Sequence, residues 1–153
     1  MTSAGSAGRV RLRRAHREDQ GAIRRMVRRE GLDPTDLHWS HFMVAELDGT
    51  LVGTGQVRPY PRCPELGSLV VRSDLRGQGI AARLIEGLLA DQPGDVYLEC
   101  GSYLAGYYQR FGFEEIPWQQ APMPLKLKAG LGRTIGRLWG WCTVVMVRRF
   151  APR

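Results

Sequence analysis

The pattern of apolar and polar residues predicts a strand and two helices near the start of the chain. Residues Val10–Arg14 alternate with a period of two, which is typical of a β-strand. Residues Arg17–Glu30 carry apolar side chains at helical spacing. An Asp-Pro pair at residues 33–34 matches a helix cap followed by a first helical residue, so we expect a short second helix near Thr35–His38. The apolar positions of the first helix are Ala22, Ile23, Met26 and Val27.

The middle of the chain predicts a hairpin followed by a strand–helix–strand unit. Two apolar runs, Phe42–Leu47 and Leu51–Val57, flank an Asp-Gly turn. The nearly continuous apolar run Leu66–Val71 is typical of a strand buried on both faces. A helix over Gly77–Asp91 and a strand over Asp95–Cys100 follow, so these two buried strands are expected to be parallel, with a right-handed crossover.

The last third of the chain predicts two further strands and two further helices. Residues Ser102–Arg110 form a short helix and Phe113–Ile116 a short strand. Residues Ala121–Trp139 are weakly helical because three glycines interrupt them, and Trp141–Phe150 closes the chain as a strand.

The predicted element order is βααβββαβαβ(α)β. This order indicates an α/β (α+β) fold with a mixed, mostly antiparallel central sheet of about six or seven strands and helices on both faces. Residues Met1–Gly8 are small and uncharged, so we expect a disordered tail, with residues 9–153 as a single domain.

Composition narrows the class of protein. The chain has 153 residues, of which 43% are hydrophobic. The longest strongly apolar stretch, Leu138–Val147, is too short for a membrane span. Cys63, Cys100 and Cys142 are an odd number and lie far apart, so we expect neither a disulfide framework nor a metal site, and a cytoplasmic location.

The formal net charge of +7 favours a polyanionic partner. The basic residues are spread along the chain and are not interleaved with aromatic residues, so we do not expect nucleic-acid binding.

A glycine-rich turn between the strand Leu66–Val71 and the following helix carries the most informative motif. The segment Leu69–Ala82 reads LVVRSDLRGQGIAA. The first turn of a helix presents free N–H groups and the positive end of the helix dipole, so this turn is suited to a phosphate group. A P-loop is excluded because the segment has no lysine, whereas a dinucleotide fingerprint would need Ala82 as its third glycine. A glycine-rich helix start without a ligand is the remaining alternative.

Two segments together resemble the GNAT superfamily, the acetyl-CoA-dependent N-acyltransferases. Arg76–Ala81 (RGQGIA) is similar to the R/Q-x-x-G-x-G/A signature of the superfamily. Leu104–Phe113 (LAGYYQRFGF) is similar to its second signature, an aromatic-Tyr-x-x-x-Gly-Phe run. The resemblance covers residues 9–117 in element order and, more loosely, residues 118–150. It implies a GNAT-like fold with acetyl-CoA as the acyl donor and no metal.

The resemblance also implies roles for individual residues. Tyr108 would be the general acid beside the sulfur, and Glu65, eleven residues before Arg76, would be the catalytic base. Alternatively, Glu65 is a solvated charge at a strand end and Tyr108 a core aromatic. Ser102 stands where many relatives place asparagine and would give a polar contact to the donor. The pantetheine arm would pair with the backbone of Leu69, Val70 and Val71, and the pyrophosphate would lie on Arg76, Gly77, Gln78, Gly79, Ile80 and Ala81.

The function implied by the resemblance is transfer of an acetyl group to a primary amine by direct attack in a ternary complex. The acceptor would be a small molecule or a peptide, and the protein a monomer or a homodimer. The alternative function is a non-catalytic acyl-CoA sensor or interaction module.

The basic segment 121–139 has an apolar face as well as four cations. Such a helix could lie on an anionic membrane. Its three glycines make it a poor free helix, so we expect it to pack on the domain instead. The apolar face comprises Leu127, Leu131, Ile135 and Leu138, and the cations are Lys126, Lys128, Arg133 and Arg137.

Overall fold

A computed structural model describes residues 9–140 and 142–151. The strands in these ranges are β1 (Arg11–Arg14), β2 (Phe42–Leu47), β3 (Thr50–Arg58), β4 (Glu65–Val71), β5 (Val96–Gly101), β6 (Glu114–Ile116) and β7 (Thr143–Arg148). The α-helices are α1 (Gln20–Arg29), α2 (Ile80–Ala90), α3 (Ala105–Gln109) and α4 (Leu125–Trp139). The seven strands form a sheet in the order β1-β2-β3-β4-β5-β7-β6.

The mixed sheet confirms the predicted fold class. β4 and β5 pair in parallel, with Glu65 opposite Tyr97, as the strand–helix–strand pattern predicts. The pairs β1–β2, β5–β7 and β6–β7 are antiparallel. The predicted tail, residues 1–8, and the first residue of the predicted last strand, Trp141, lie outside the described residues. The assignment of residues 9–153 to a single domain stays a prediction.

The hairpin between β2 and β3 is where the sequence predicts it. Asp48 and Gly49 both have positive φ angles, 50° and 78°. Two successive left-handed residues are what a type I′ turn requires, and the Asp-Gly pair adopts them at low cost.

The predicted helix near Thr35–His38 is wrong. Asp33 Oδ1 accepts hydrogen bonds from the backbone N–H of Thr35 at 2.9 Å and from its hydroxyl at 2.6 Å, which closes a turn on the side chain instead of starting a helix. Asp36 then has a φ of 52°, which a right-handed helix does not allow. A short 3₁₀ turn forms later, at Trp39–His41.

The chain divides into two compact units. Of the described residues, 9–55 and 68–84 make up the first unit. One side of its core joins α1 to β2 through Ile23, Val27 and Phe42, all fully buried. A second cluster joins Ala45, Val52, Val71, Ile80 and Leu84, and this cluster fixes the end of β4 against the start of α2.

The second unit contains residues 56–67 and the described residues from 85 onward. Its core joins Cys63, Leu125, Ala129 and Val145, with the half-buried rings of Tyr60, Tyr97 and Trp118 packed around them. Helix α4 therefore packs on this unit, as the glycines in the segment predict.

The face by which α4 packs is not the expected one. Leu125, Ala129 and Gly136 are buried, whereas the predicted apolar face of Leu127, Leu131, Ile135 and Leu138 is exposed. The glycines lie on the packed side: a Cβ at Gly132 would be 2.6 Å from Glu99 Oε1, and one at Gly130 would be 3.3 Å from the Trp118 ring. The glycines thus allow the helix to approach its neighbours closely.

An ion-pair network holds the start of α1. Arg13 on β1 donates to Asp19 at 2.7 Å and 3.1 Å and to Glu46 on β2 at 3.0 Å. The backbone N–H of His16 also donates to Asp19, at 2.7 Å. These contacts, and above all the hydrogen bonds from Arg13, lower the pKa of the Asp19 carboxyl below its usual range.

We expect Asp19→Asn to destabilise the fold by about 2–3 kcal/mol, because Asp19 is buried and its loss leaves Arg13 with fewer partners. Since the pKa of Asp19 is lower in the folded state, its stabilisation is complete above pH of about 4 and is lost as the pH falls further. Chemical denaturation at pH 7 and pH 3 measures both effects. The exposed neighbour provides the control: Glu18→Gln should change stability by less than about 0.5 kcal/mol at pH 7. Equal stability of the two variants at pH 7 would contradict this.

Candidate active site

The turn between β4 and α2 forms an open, glycine-lined end to the helix. After β4 the chain makes a 3₁₀ turn at Ser73–Leu75 and reaches Ile80, where α2 begins, three residues later than the sequence predicts. Gly77 and Gly79 have φ angles of 78° and 80°, which residues with side chains rarely adopt. A Cβ at either glycine would meet no heavy atom within 4 Å, so the space in front of the turn is open.

The backbone of this turn is suited to a bound anion. The N–H of Arg83 donates to the carbonyl of Gly79 at 3.1 Å, which is the first hydrogen bond of the helix. The N–H groups of residues 80–82 precede this bond, and helix geometry gives them no carbonyl acceptor within the helix. Together with the positive end of the helix dipole, these donors fit a phosphate or pyrophosphate group.

Arg76 is held in place by two contacts within the first unit. Its Nε donates to the carbonyl of Val71 at 3.0 Å, and its guanidinium lies 3.2 Å from the Glu30 carboxylate at the end of α1. About half of the side chain is exposed. Arg76 therefore supports the shape of the turn as well as adding positive charge to it, a role that the motif alone did not predict.

Strand β4, which leads into the turn, contains three more of the predicted site residues. Val70 and Val71 are buried, whereas Leu69 is half-buried and packs against the core. Ser68, just before them, has a φ of 53° and so interrupts the regular strand. The N–H of Arg72 already donates to the carbonyl of Val52 at 2.8 Å, so this N–H is not available to a donor molecule.

Glu65, in the second unit, is buried between two cations. Its Oε1 lies 3.4 Å from Arg58, which is almost fully buried, and its Oε2 lies 3.4 Å from Lys128 Nζ. Lys128 also donates to the Tyr60 hydroxyl at 3.2 Å. The alternative of a solvated strand-end charge therefore does not describe Glu65.

This arrangement limits how Glu65 could act as a base. Both carboxylate oxygens already face a cation, so a proton donor would compete with these cations for the carboxylate. Lys128 is the partner that can move, because its side chain is 27% exposed and that of Arg58 is 2% exposed. Sequence reasoning missed both cations. Lys128 lies 63 residues away on α4, and no local pattern links it to Glu65. Arg58 is only seven residues away, but the loop between β3 and β4 separates the two residues.

Tyr108 lies on α3, packed by aromatic rings. Its ring centroid is 5.4 Å from that of Tyr107 and 6.1 Å from that of Phe113, both in edge contacts. Its carbonyl accepts from the N–H of Phe111 at 2.9 Å, and Gly112, with a φ of 86°, turns the chain toward β6. The second sequence motif thus positions the Tyr108 ring through its own aromatic and glycine residues.

Burial is the main cause that raises the pKa of the Tyr108 phenol well above its usual range, with smaller effects from Cys100 and the neighbouring tyrosines. The phenol therefore stays protonated at neutral pH and is available as a hydrogen-bond donor. The raised pKa also argues against full proton transfer to a thiolate, because that transfer becomes more unfavourable as the phenol becomes a weaker acid.

Tyr107, Cys100 and Ser102 are the other candidate residues in this part of the sequence, and none of them is placed as a nucleophile or an acid. Tyr107 lies edge-on to Phe111 at 5.4 Å, as expected of a packing aromatic. Burial raises the pKa of the Cys100 thiol to about 11, which leaves little thiolate for nucleophilic attack at neutral pH. The backbone N–H of Ser102 donates to the carbonyl of Cys142 at 2.9 Å, and the residue is exposed.

Residues 9–140 and 142–151 contain no cluster of three or more His, Cys, Asp or Glu side chains that could hold a metal ion. Within the same residues, no helix is long and apolar enough to span a membrane.

The sequence matches a family model. The model describes the acetyltransferase (GNAT) domain, and it matches residues 38–115, about half of the chain. The match includes both signature segments, the turn Arg76–Ala81 and the aromatic run Leu104–Phe113.

Several solved structures share the fold of this chain. N-acetylglutamate synthase from Neisseria gonorrhoeae, complexed with coenzyme A and N-acetyl-glutamate, superposes with a TM-score of 0.73 at 20% identity over 94% of this chain. The match covers only 36% of that protein. Rv2747 from Mycobacterium tuberculosis, in complex with CoA and NLQ, has a TM-score of 0.73 at 20% identity and covers 92% of this chain and 99% of its own. Diaminobutyrate acetyltransferase EctA from Paenibacillus lautus, in complex with L-2,4-diaminobutyric acid and coenzyme A, has a TM-score of 0.64 at 17% identity and covers 95% and 99%.

Proposed function

The chain belongs to the acetyltransferase (GNAT) family, and we propose that it transfers an acetyl group from acetyl-CoA to a primary amine of a small molecule or peptide. The observation that carries this proposal is the open turn before α2, where two left-handed glycines leave backbone N–H groups free to bind a pyrophosphate. The net charge of +7 also suits a polyanionic donor.

We assign donor binding to three sets of residues. The turn Arg76–Ala81 would hold the pyrophosphate through its N–H groups, and the backbone of Leu69–Val71 would pair with the pantetheine arm. A backbone N–H of the same strand segment would hold the negative charge that develops on the carbonyl oxygen. Ser102 would add a polar contact.

The reaction joins the amine nitrogen to the thioester carbonyl carbon, breaks the carbon–sulfur bond and releases a proton from the amine. The amine must be neutral to attack. Neutralising a lysine-like amine at pH 7 costs about 5 kcal/mol, whereas an α-amine costs only about 1 kcal/mol. A base is therefore needed more for an amine of high pKa.

We assign Tyr108 to the leaving thiolate. Its phenol, kept protonated by burial, would donate a hydrogen bond to the sulfur as the carbon–sulfur bond breaks. Positioning by the rings of Tyr107 and Phe113 would limit the reorganisation that this hydrogen bond needs.

We propose that the acceptor is not a polycation. A protein with a net charge of +7 repels a strongly basic acceptor at long range. Two structural neighbours are complexed with N-acetyl-glutamate and L-2,4-diaminobutyric acid, and both of these ligands are small molecules. We further propose a cytoplasmic protein, because its three cysteines are unpaired, and a monomer or homodimer.

A non-catalytic acyl-CoA sensor is the second candidate. The ion pairs on both oxygens of Glu65 favour it, because they leave the chain without an unengaged carboxylate at the position proposed for the base. An assay with acetyl-CoA and a panel of amines, selected by thermal shift, separates the two candidates. Acetylated product supports the enzyme, whereas donor binding without product supports the sensor.

We predict that Glu65→Gln lowers kcat/KM more for a lysine-like amine than for an α-amine, if Glu65 acts as the base. The reason is the greater cost of neutralising the first amine. Steady-state kinetics on two acceptors that differ in amine pKa measure the effect, with circular dichroism to check the fold, since Gln at this position leaves Arg58 buried beside a neutral group.

Lys128→Gln is the matched control for Glu65. This variant releases one carboxylate oxygen without removing the carboxylate. If Glu65 is the base, the Lys128→Gln variant should keep or gain activity toward the lysine-like amine. If Glu65 is purely structural, both variants should show equal small losses of activity on both acceptors. The second result would reduce Glu65 to a structural charge.

A further inference from the structure

An insertion in the β6–β7 hairpin carries an exposed apolar surface. β6 and β7 are antiparallel neighbours, with Glu115 opposite Met146. Two residues are enough to join such strands. Here residues 117–142 join them and contain the whole of α4. A connection of this length is not needed to close the hairpin, and long connections of this kind are commonly functional.

The outer side of α4 is a continuous apolar stripe. Its side chains lie one helical turn apart on the side opposite the buried Leu125, Ala129 and Gly136. Four of the five are at least 64% exposed. We name this surface the α4 stripe; it comprises Leu127 (65% exposed), Leu131 (64%), Ile135 (43%), Leu138 (81%) and Trp139 (79%).

The charged side chains that α4 itself carries are all positive. Lys126, Arg133 and Arg137 are exposed and share one flank of the helix. Residues 121–139 contain no Asp or Glu. Lys128 is separate from this flank, because it points inward to Glu65. The helix therefore presents leucine, isoleucine and tryptophan next to cations that no acid on the same helix offsets.

We propose that the α4 stripe docks the protein on the surface of an anionic lipid bilayer. Apolar side chains, a tryptophan and flanking Lys/Arg are the composition by which helices lie in the headgroup region. Cations at such a surface each strengthen binding, and the net charge of +7 adds long-range attraction. The helix lies on the surface and does not span the bilayer, since at 15 residues it is too short.

A second copy of the chain is a poorer occupant of the α4 stripe. Pairing two copies stripe to stripe would bring together two helices that each carry four cations and no acidic residue. Like charges placed together oppose such an association. Charge complementarity therefore favours an anionic surface over a second copy of the chain as the partner of the α4 stripe. This inference does not depend on the proposed function, and its test does not use acetyl transfer.

The test is flotation of the full chain with large unilamellar vesicles. One set is pure phosphatidylcholine, and the other is an equimolar mixture of phosphatidylcholine and phosphatidylglycerol. We expect binding to the mixed vesicles, at least tenfold weaker binding to the neutral ones, and weakening by salt. Failure of the folded full chain to bind the mixed vesicles overturns the proposal.

Two pairs of variants separate the apolar and the charged parts. Leu127→Ser/Leu131→Ser/Leu138→Ser should lose at least tenfold in vesicle affinity, whereas Leu32→Ser/Phe150→Ser, exposed apolar residues elsewhere, should stay near wild type. Neutralising the flank with Lys126→Gln/Arg133→Gln/Arg137→Gln should lower vesicle affinity by about fivefold per charge. A variant with the same loss of charge on α1 and the turn before it, Arg17→Gln/Arg24→Gln/Arg28→Gln, should lose clearly less vesicle affinity.

Two further results would contradict the proposal. Unchanged vesicle binding by the triple serine variant would mean that only general electrostatic attraction acts. A dimer in sedimentation experiments that the triple serine variant dissociates, without vesicle binding by the wild type, would place the α4 stripe between two copies of the chain. Circular dichroism of each variant verifies that the fold is intact, as expected for substitutions of exposed side chains.

Discussion

Replacing Tyr108 by phenylalanine is expected to lower kcat by about 10²–10³-fold, the usual cost of removing one hydrogen bond to charge that develops in the transition state. The variant keeps the ring and its edge contacts with Tyr107 and Phe113, so the fold should be unchanged. Only the hydroxyl is lost, and in the proposed mechanism it acts on charge that develops at the sulfur in the transition state. Acetyl-CoA affinity should therefore stay within about twofold of wild type.

Tyr107→Phe is the matched control. Tyr107 is adjacent and half-buried, and burial raises the pKa of its phenol as well. Its kcat should change by no more than a few-fold, because its contacts are those of a packing aromatic. If Tyr108→Phe turned over at the wild-type rate, the acid would be another group, with Tyr107, Tyr103 or a bound water next in order.

The pH dependence of kcat is a second test of the role of Tyr108. Because the pKa of Tyr108 is raised well above its usual range, the phenol does not ionise below pH of about 10. We therefore expect no loss of kcat on the alkaline side from Tyr108 up to that pH. A falling limb near pH 8 that disappears in Tyr108→Phe would contradict a protonated phenol raised in pKa by burial.

Gly79→Asp should weaken acetyl-CoA binding by about 30–150-fold, which corresponds to about 2–3 kcal/mol. The substitution places a negative charge in the open space in front of the turn, where the pyrophosphate would bind. A second contribution is backbone strain, since Gly79 has a φ of 80°. Isothermal titration calorimetry with acetyl-CoA measures the affinity directly.

Two controls separate charge, strain and position at Gly79. Asparagine tolerates left-handed backbone and has the size of aspartate without its charge, so Gly79→Asn should keep much more of the affinity. Gly49→Asp makes the same change at a φ of 78° in the β2–β3 turn, again with no atom within 4 Å, and should leave affinity unchanged. If a folded Gly79→Asp variant bound acetyl-CoA with full affinity, the pyrophosphate would not bind at this turn.

Short-range patterns in the sequence were sufficient to predict much of the fold. The Asp48-Gly49 pair fixes its own turn, and the apolar runs of β4 and β5 predict the parallel pair that the structure contains. The glycine turn could be located because the residues that shape it are consecutive in the sequence. These features depend on short-range geometry, which a sequence shows directly.

Other features depend on contacts that no local pattern contains. The Asp-Pro pair at residues 33–34 suggests a helix, but the Asp33 carboxylate binds Thr35 instead and turns the chain away. Lys128 meets Glu65 only because α4 packs over the second unit. Which face of α4 packs is also set by tertiary contacts, since its glycine side fits closely against Glu99 and Trp118 and its leucine side does not pack.

The most direct test of the proposed acetyl transfer is a stoichiometric one. The purified chain is incubated with acetyl-CoA and a thermal-shift-selected amine, and released CoA thiol and acetylated amine are quantified in parallel, for wild type and for Tyr108→Phe. The proposal predicts one acetylated amine per thiol released by the wild type, and a rate about 10²–10³-fold lower in the variant. Acetyl-CoA binding without acetylated amine from any member of the panel, or thiol release without it, would contradict acetyl transfer as the function of this protein.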